Sequence, residues 1–234
     1  MKSNLTCVSG YWQVTNKHNN KYNKWFKNTF AINCPYVFFT NKETRPFIES
    51  FRKDLPTYYI ELNIEDFYMY QYRNRMITHP IHCPSIELNL IWNEKICLVE
   101  KALQINPFSS EYFCWIDAGI CKYRNIPPPN KPFPNIDKLN MLPKDKFIYS
   151  ASNTYSESET RTTNYYHHIS ATSYILHKNI ITIFTKLYKS YIERLVDKNN
   201  IWTEQVILTH IYKHNKHIFH KLCDGYGAII PYLY

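Results

Sequence analysis

One segment constrains the fold of this chain more than any other: Tyr112-Phe113-Cys114-Trp115-Ile116-Asp117-Ala118-Gly119. Five apolar residues without alternation make a stable strand only when both faces are covered, as in a parallel sheet with helices above and below. The run stops at a single carboxylate. In open α/β sheets ligands bind beyond the carboxyl ends of the strands. Asp117 would therefore stand beside a bound molecule, and Ala118 and Gly119 leave room for that molecule to approach the backbone. A carboxylate there can hold a divalent cation, because hard cations take oxygen ligands. An ordinary strand end followed by a turn has the same sequence, so the rest of the chain has to decide.

The 234 residues suit one α/β domain, and 44% hydrophobic content with only 4 glycines describes a core-forming protein. A net charge of +9 fits nucleic acid, an anionic membrane surface contacted peripherally, or phosphorylated ligands. The lysines are scattered and never form a run of five, so a solvated basic surface with a few charges in a cleft is expected, and no specific nucleic-acid partner. The 7 cysteines form no CxxC pair, and Cys97 and Cys114 lie in apolar stretches as small hydrophobes. That usage points to a reducing compartment. The start, Met1-Lys2-Ser3-Asn4-Leu5-Thr6, has no apolar signal region, and no span approaches membrane-crossing length. A cytoplasmic, soluble protein is expected.

Strands are expected at Leu5–Val8, Tyr36–Thr40 and Tyr58–Leu62, with a short helix at Tyr22–Ala31 between the first two. Asn63 would cap a Tyr-rich helix after the third. This alternation is the pattern of βαβ units. The clearest helix runs from about Ile86 to Leu103, opened by Pro84-Ser85, with apolar positions 88, 92, 96, 99 and 103 on one face. Lys95 lies beside that face, either snorkelling past the core or reaching a ligand at the strand ends. Ile126–Pro134 carries five prolines in nine residues and must be an extended loop. Ser150–Tyr166 is a second long loop, polar throughout. An apolar strand follows the small residues Ser170-Ala171-Thr172, then an amphipathic helix over Ile180–Leu195. A last helix opens at Thr203, with Glu204 in its first turn, where the dipole favours a carboxylate.

Several segments, in order, resemble the HtrL/YibB (WlaTC) family of glycosyltransferase-like proteins over almost the whole length. They are Asn33–Phe39, His82-Cys83-Pro84-Ser85, Ile91–Lys95, Trp115–Gly119, Tyr166–Ser170, Trp202-Thr203-Glu204-Gln205 and Cys223–Gly227. The resemblance implies a GT-A-like, Rossmann-type αβα sandwich with a mixed, mostly parallel sheet. It further implies a single domain over 1–234, with a nucleotide-binding half at 1–125 and an acceptor-side half at 126–234. The implied substrates are a nucleotide-sugar donor and a glycan or glycoprotein acceptor. By that resemblance Asp117 falls at the strand-end metal motif for Mn²⁺ or Mg²⁺. The usual Asp-x-Asp is reduced here to one Asp followed by Ala118 and Gly119. Thr6, Ser9 and Gly10 would contact the nucleobase, and Ser170, Ala171 and Thr172 would line the donor sugar together with Lys95. His167, His168, Glu204 and Gln205 fall on the acceptor side, with His220 or Asp224 available to complete a metal shell.

Transfer needs a stabilised leaving diphosphate and an activated acceptor hydroxyl. Asp117 through a metal, or Lys95, Lys122 and Arg124 directly, would offset the leaving charge, and Glu204 would act as general base. The two long loops would close over the donor. His210, His214, His217 and His220 lack the accompanying Glu or Cys of a zinc site, and Pro80 and Pro84 make the cluster of His79, His82 and Cys83 a turn leading into the long helix. No nucleophile elbow, phosphate-binding loop or dinucleotide fingerprint occurs. The competing class is a basic, non-catalytic protein that binds nucleic acid or another anionic polymer through its Tyr/Lys surface.

Overall fold

The computed structural model describes residues 3–161, 165–196 and 200–234. The central sheet contains β1 (Leu5–Gly10), β2 (Tyr36–Thr40), β3 (Thr57–Glu61), β4 (Tyr112–Ile116), β5 (Phe147–Ala151), β6 (Ile169–His177) and β7 (Phe219–Asp224). Its spatial order is β3-β2-β1-β4-β6-β5-β7. β6 runs antiparallel to both neighbours and every other pairing is parallel, so the sheet is mixed and mostly parallel. The helices are α1 (Tyr22–Thr29), α2 (Arg45–Glu49), α3 (Ile86–Ile105), α4 (Ile136–Asn140), α5 (Lys178–Val196), α6 (Glu204–His214) and α7 (Ile229–Leu233).

Strand β4 shows why the run at 112–116 is apolar on both sides. Phe113 and Trp115 pack with residues of α3, α5 and α6, including Leu98, Phe184 and Ile207. Tyr112, Cys114 and Ile116 face the opposite layer, where Phe26 of α1, Ile48 of α2, Leu139 of α4 and Ile230 of α7 lie. The result is a helix–sheet–helix sandwich of the Rossmann-like kind. Helix α3 begins at Ser85, whose hydroxyl accepts the Leu88 amide, and ends at Asn106 in the left-handed conformation (φ 38°). None of the helices among the described residues is long and apolar enough to cross a membrane.

Two expectations change. The Tyr-rich stretch is not an α-helix but two tight 3-10 segments, Ile64–Asp66 and Tyr68–Arg75, separated by the extended Phe67. The Glu94 carboxylate accepts the amides of Tyr68 (3.1 Å) and Met69 (2.9 Å), which holds the start of the second segment against α3. Aromatic residues with low helix propensity do not resist that geometry. The proline loop at 126–134 does not overhang the carboxyl ends of β1 and β4. Phe133 is buried against Tyr234 with ring centroids 5.0 Å apart, and the amides of Phe133 and Asn135 bond to Asn33 and Leu233, tying the loop to α7. Residues 162–164 of the second loop lie outside the described residues.

Candidate functional site

The chain leaves β1 toward β2 on one side, while β4 flanks β1 on the other. Connections departing in opposite directions from neighbouring strands open a crevice at their carboxyl ends, the switch point of such sheets. Gly10 ends β1 there and Asp117 follows β4. A cavity of about 670 Å³ occupies the crevice.

At its floor three charged side chains meet. Lys95 reaches from α3, is only 2% exposed, and places Nζ 2.7 Å from Asp117 Oδ1 and 2.7 Å from Glu204 Oε1. Its third contact is the Ala171 carbonyl at 3.3 Å. Trp115 Nε1 donates to Asp117 Oδ1 at 2.8 Å, so that oxygen is doubly engaged. Glu204 opens α6, and its Oε2 is buried without a hydrogen-bond partner. Burial pulls the Lys95 ammonium toward neutrality, but the two carboxylates outweigh it and hold the group above its usual range. Burial raises Glu204, partly countered by Lys95. Lys95 thus does not snorkel; it bridges two carboxylates at the cavity floor.

A buried amide network aims these groups. Asn89 Nδ2 donates to the carbonyls of Ile77 and Ile201, and Asn93 Nδ2 to that of Trp202. Tyr188 of α5 donates to Asn93 Oδ1 at 2.8 Å. The segment leading into Glu204 is therefore stitched to the turns of α3 that carry Lys95. Gln205 Oε1 accepts the Ala171 amide at 3.1 Å, joining α6 to β6. Thr203 precedes α6 as its cap residue, but its hydroxyl makes no capping bond.

Lys17, His18 and Arg124 line one side of the cavity. Arg124 Nε donates to the Gly119 carbonyl at 2.8 Å, and its guanidinium stacks 4.0 Å from the centre of the Trp25 ring. Burial, together with the charges of Arg124, Lys17 and Lys21, pushes His18 down to about 4. Cations thus accumulate where His18 stays neutral. His82, Tyr165, His167 and Tyr226 also line the cavity. His167 Nδ1 lies 2.8 Å from the Tyr165 carbonyl, so Nδ1 carries the proton and Nε2 accepts from the Tyr226 hydroxyl at 2.6 Å. Burial lowers the His167 pKa and keeps this ring neutral.

Of the residues singled out from sequence, Gly10, Lys95, Asp117, Ala118, Gly119, His167, Thr172, Glu204 and Gln205 line the cavity. Thr6 and Ser9 do not. Both are buried in the sheet, Thr6 bonded to Ser110 and Ser9 to the Ile116 carbonyl at 2.7 Å. Ser170 is buried and pairs with the Thr172 hydroxyl, while Ala171 contributes its backbone. His168 points into the core, between Tyr149 and the Asn153 carbonyl. Sequence reasoning missed the aromatic lining from Tyr11, Trp12, Tyr22 and Trp92, and the contribution of Lys17 and His18. A cluster of aromatic and basic residues directly after β1 was the available signal.

Around Asp117 the described residues offer few donors to Mn²⁺ or Mg²⁺. Asp117 has one oxygen left, and an ammonium already sits between it and Glu204. His220 pairs with Ile148, at the level of Cys114 and behind the strand ends. Asp224 bonds Lys221 at 3.2 Å at the far edge of the sheet. Neither lines the cavity. Among the described residues no three His, Cys, Asp or Glu side chains gather to hold a metal, the C-terminal histidines included. His210 and His214 pack edge to face, with centroids 5.1 Å apart.

Fold and site together define a Rossmann-like α/β protein with a charged, aromatic-lined cavity at the switch point of its sheet. Within that class the chain belongs to the HtrL/YibB family, described as bacterial proteins of unknown function, whose family model matches residues 58–228. It is 24% identical to Protein HtrL of Escherichia coli (strain K12) over 155 residues, covering 54% of this chain and 54% of that protein. The chain thus spans about half the length of that relative.

Proposed function

We propose that this protein is a glycosyltransferase that moves a sugar from a nucleotide-sugar donor to a glycan or protein-linked acceptor. The observation that carries the reading is the Asp117–Lys95–Glu204 cluster at the floor of a switch-point cavity with cations on one side. A volume of about 670 Å³ suits a ligand of nucleotide-sugar size. Aromatic walls suit a nucleobase and sugar faces, while carboxylate oxygens suit sugar hydroxyls. In this reading the diphosphate lies toward Arg124 and Lys17, and the acceptor enters past His167. The acceptor hydroxyl gives its proton to Glu204 as its oxygen bonds the anomeric carbon. The bond from that carbon to the diphosphate oxygen breaks, and the nucleoside diphosphate leaves with its charge offset by Arg124 and Lys17. Asp117 orients the donor sugar. The free cysteines fit a reducing, cytoplasmic setting. A nucleic-acid groove is the weaker reading, because two carboxylates at the floor repel a phosphate backbone.

The test is thermal stability against UDP-, GDP-, CDP- and ADP-sugars. A donor at a hundred times its Kd stabilises the native state by about 2.7 kcal/mol, or roughly 5–10 °C for a chain of this size. One nucleotide series should produce that shift, and Arg124→Ala should weaken the affinity about tenfold, roughly halving the shift. No shift with any donor, alongside salt-sensitive binding to single-stranded nucleic acid, overturns the proposal.

A further inference from the structure

We infer that the Lys95 ammonium is the resident cation of the Asp117–Glu204 pair, standing where a divalent metal would otherwise bridge the two carboxylates. Its bearing on catalysis rests on the transferase reading; the claim about the site does not.

Three observations carry it. An ammonium has three N–H donors, and Lys95 directs them to three acceptors: Asp117 Oδ1, Glu204 Oε1 and the Ala171 carbonyl. The group is saturated and has nothing left to offer a ligand phosphate. The side chain is also enclosed, and its position on α3 is tied by Asn89 and Asn93 to the segment that carries Glu204. It cannot swing away to admit another ion without leaving a charge in the core. Finally, two carboxylates and one ammonium leave a single net negative charge. The remaining oxygens, Asp117 Oδ2 and the buried, unpartnered Glu204 Oε2, suit neutral hydroxyl donors better than a dication, which the ammonium beside them repels. Charge on a leaving diphosphate then falls to Arg124 and Lys17 on the cavity wall. Lys95 acts as a positioning residue.

The experiment uses Mn²⁺ alone, followed by its electron paramagnetic resonance signal and by thermal stability, on the wild type, Lys95→Met, Lys95→Arg and Asp117→Asn. The wild type and Lys95→Arg should leave the free Mn²⁺ signal and the melting temperature unchanged to a few millimolar metal, beyond the weak end of protein cation sites. Lys95→Met should take up one ion per chain and gain at least about 3 °C, because the two carboxylates then have no cation between them. A merely structural lysine would not confer metal dependence when removed, so absence of uptake by Lys95→Met overturns the inference. Uptake by the wild type that Asp117→Asn abolishes overturns it as well. Should Lys95→Met not fold, the wild-type and Asp117→Asn pair decides. Repeating the nucleotide-sugar series in chelator separates the two claims. Donors that bind equally well in chelator support both, whereas failure of every donor removes the transferase and leaves the Mn²⁺ result standing.

Discussion

Replacing Lys95 with Met keeps the volume of the side chain and deletes its charge, which isolates the electrostatics of the site. Each contact of 2.7 Å is worth about 6 kcal/mol at an effective dielectric near 20. The two carboxylate oxygens lie no more than about 5.4 Å apart, twice the Nζ distance, and repel by about 3 kcal/mol at that dielectric. Desolvating three ions offsets most of the attraction, and removing one partner of a buried ionic cluster typically costs about 3–5 kcal/mol. Lys95→Met should therefore lose about that much, or roughly 10 °C in melting temperature for a chain of this length. Adding Glu204→Gln removes the orphaned buried charge and should restore about half of the loss, a coupling of the size seen between contacting groups. Urea unfolding of wild type, both single variants and the double variant at pH 7.5 closes the cycle. A loss below about 1 kcal/mol for Lys95→Met, or purely additive variants, would refute a charged, coupled cluster.

Two further outcomes follow, one from α3 and one from the cavity wall. Burial pushes the Glu94 carboxyl up to about 7, against an ordinary value of 4.5. Below pH 4.5 both folded and unfolded states hold the proton; as pH rises toward 7 the unfolded state releases it first, so stability falls by about 3 kcal/mol across that window. The difference between wild type and Glu94→Gln in urea unfolding from pH 4.5 to 8 isolates this contribution, and a difference constant with pH would refute it. A Cβ on Gly119 would stand 2.5 Å from Tyr22 Cε1, so Gly119→Ala must displace a ring that lines the cavity. It should cost about 1–3 kcal/mol and weaken nucleotide-sugar affinity, measured by titration calorimetry, and unchanged affinity would show that Tyr22 does not touch the ligand.

What was legible beforehand follows hydrophobic pattern. β4 and β2 announce themselves as apolar runs covered on both faces, and α3 as an apolar stripe with a Ser cap. β7 carries no such pattern: His220 and Lys221 are exposed because it is an edge strand, and the residues around them are no more apolar than a loop. The 3-10 segment at 68–75 starts against a carboxylate on α3, some 25 residues further along the chain, which no local window contains. Asp117 was visible as the abrupt end of a strand and Glu204 as the acidic start of a helix. Their meeting through Lys95 was not, since a lysine beside an apolar face reads equally as a snorkelling side chain. Only the packing of α3 against β4, and of α6 beside them, decides between those readings. The aromatic wall was hidden for a related reason: Tyr11 to Tyr22 lack periodicity, and their shared direction comes from the turn after β1.

The lining of the cavity straddles the boundary of the family match. Lys95, Asp117, Glu204, Arg124 and His167 all fall within residues 58–228, the stretch matched by the family, whereas Gly10 through Tyr22 lie outside it. The charged floor belongs to the shared stretch, and the surface facing it is written in a part of the chain outside that match. Exchanging residues 11–22 would therefore change what faces the Asp117–Lys95–Glu204 floor while leaving the matched stretch intact.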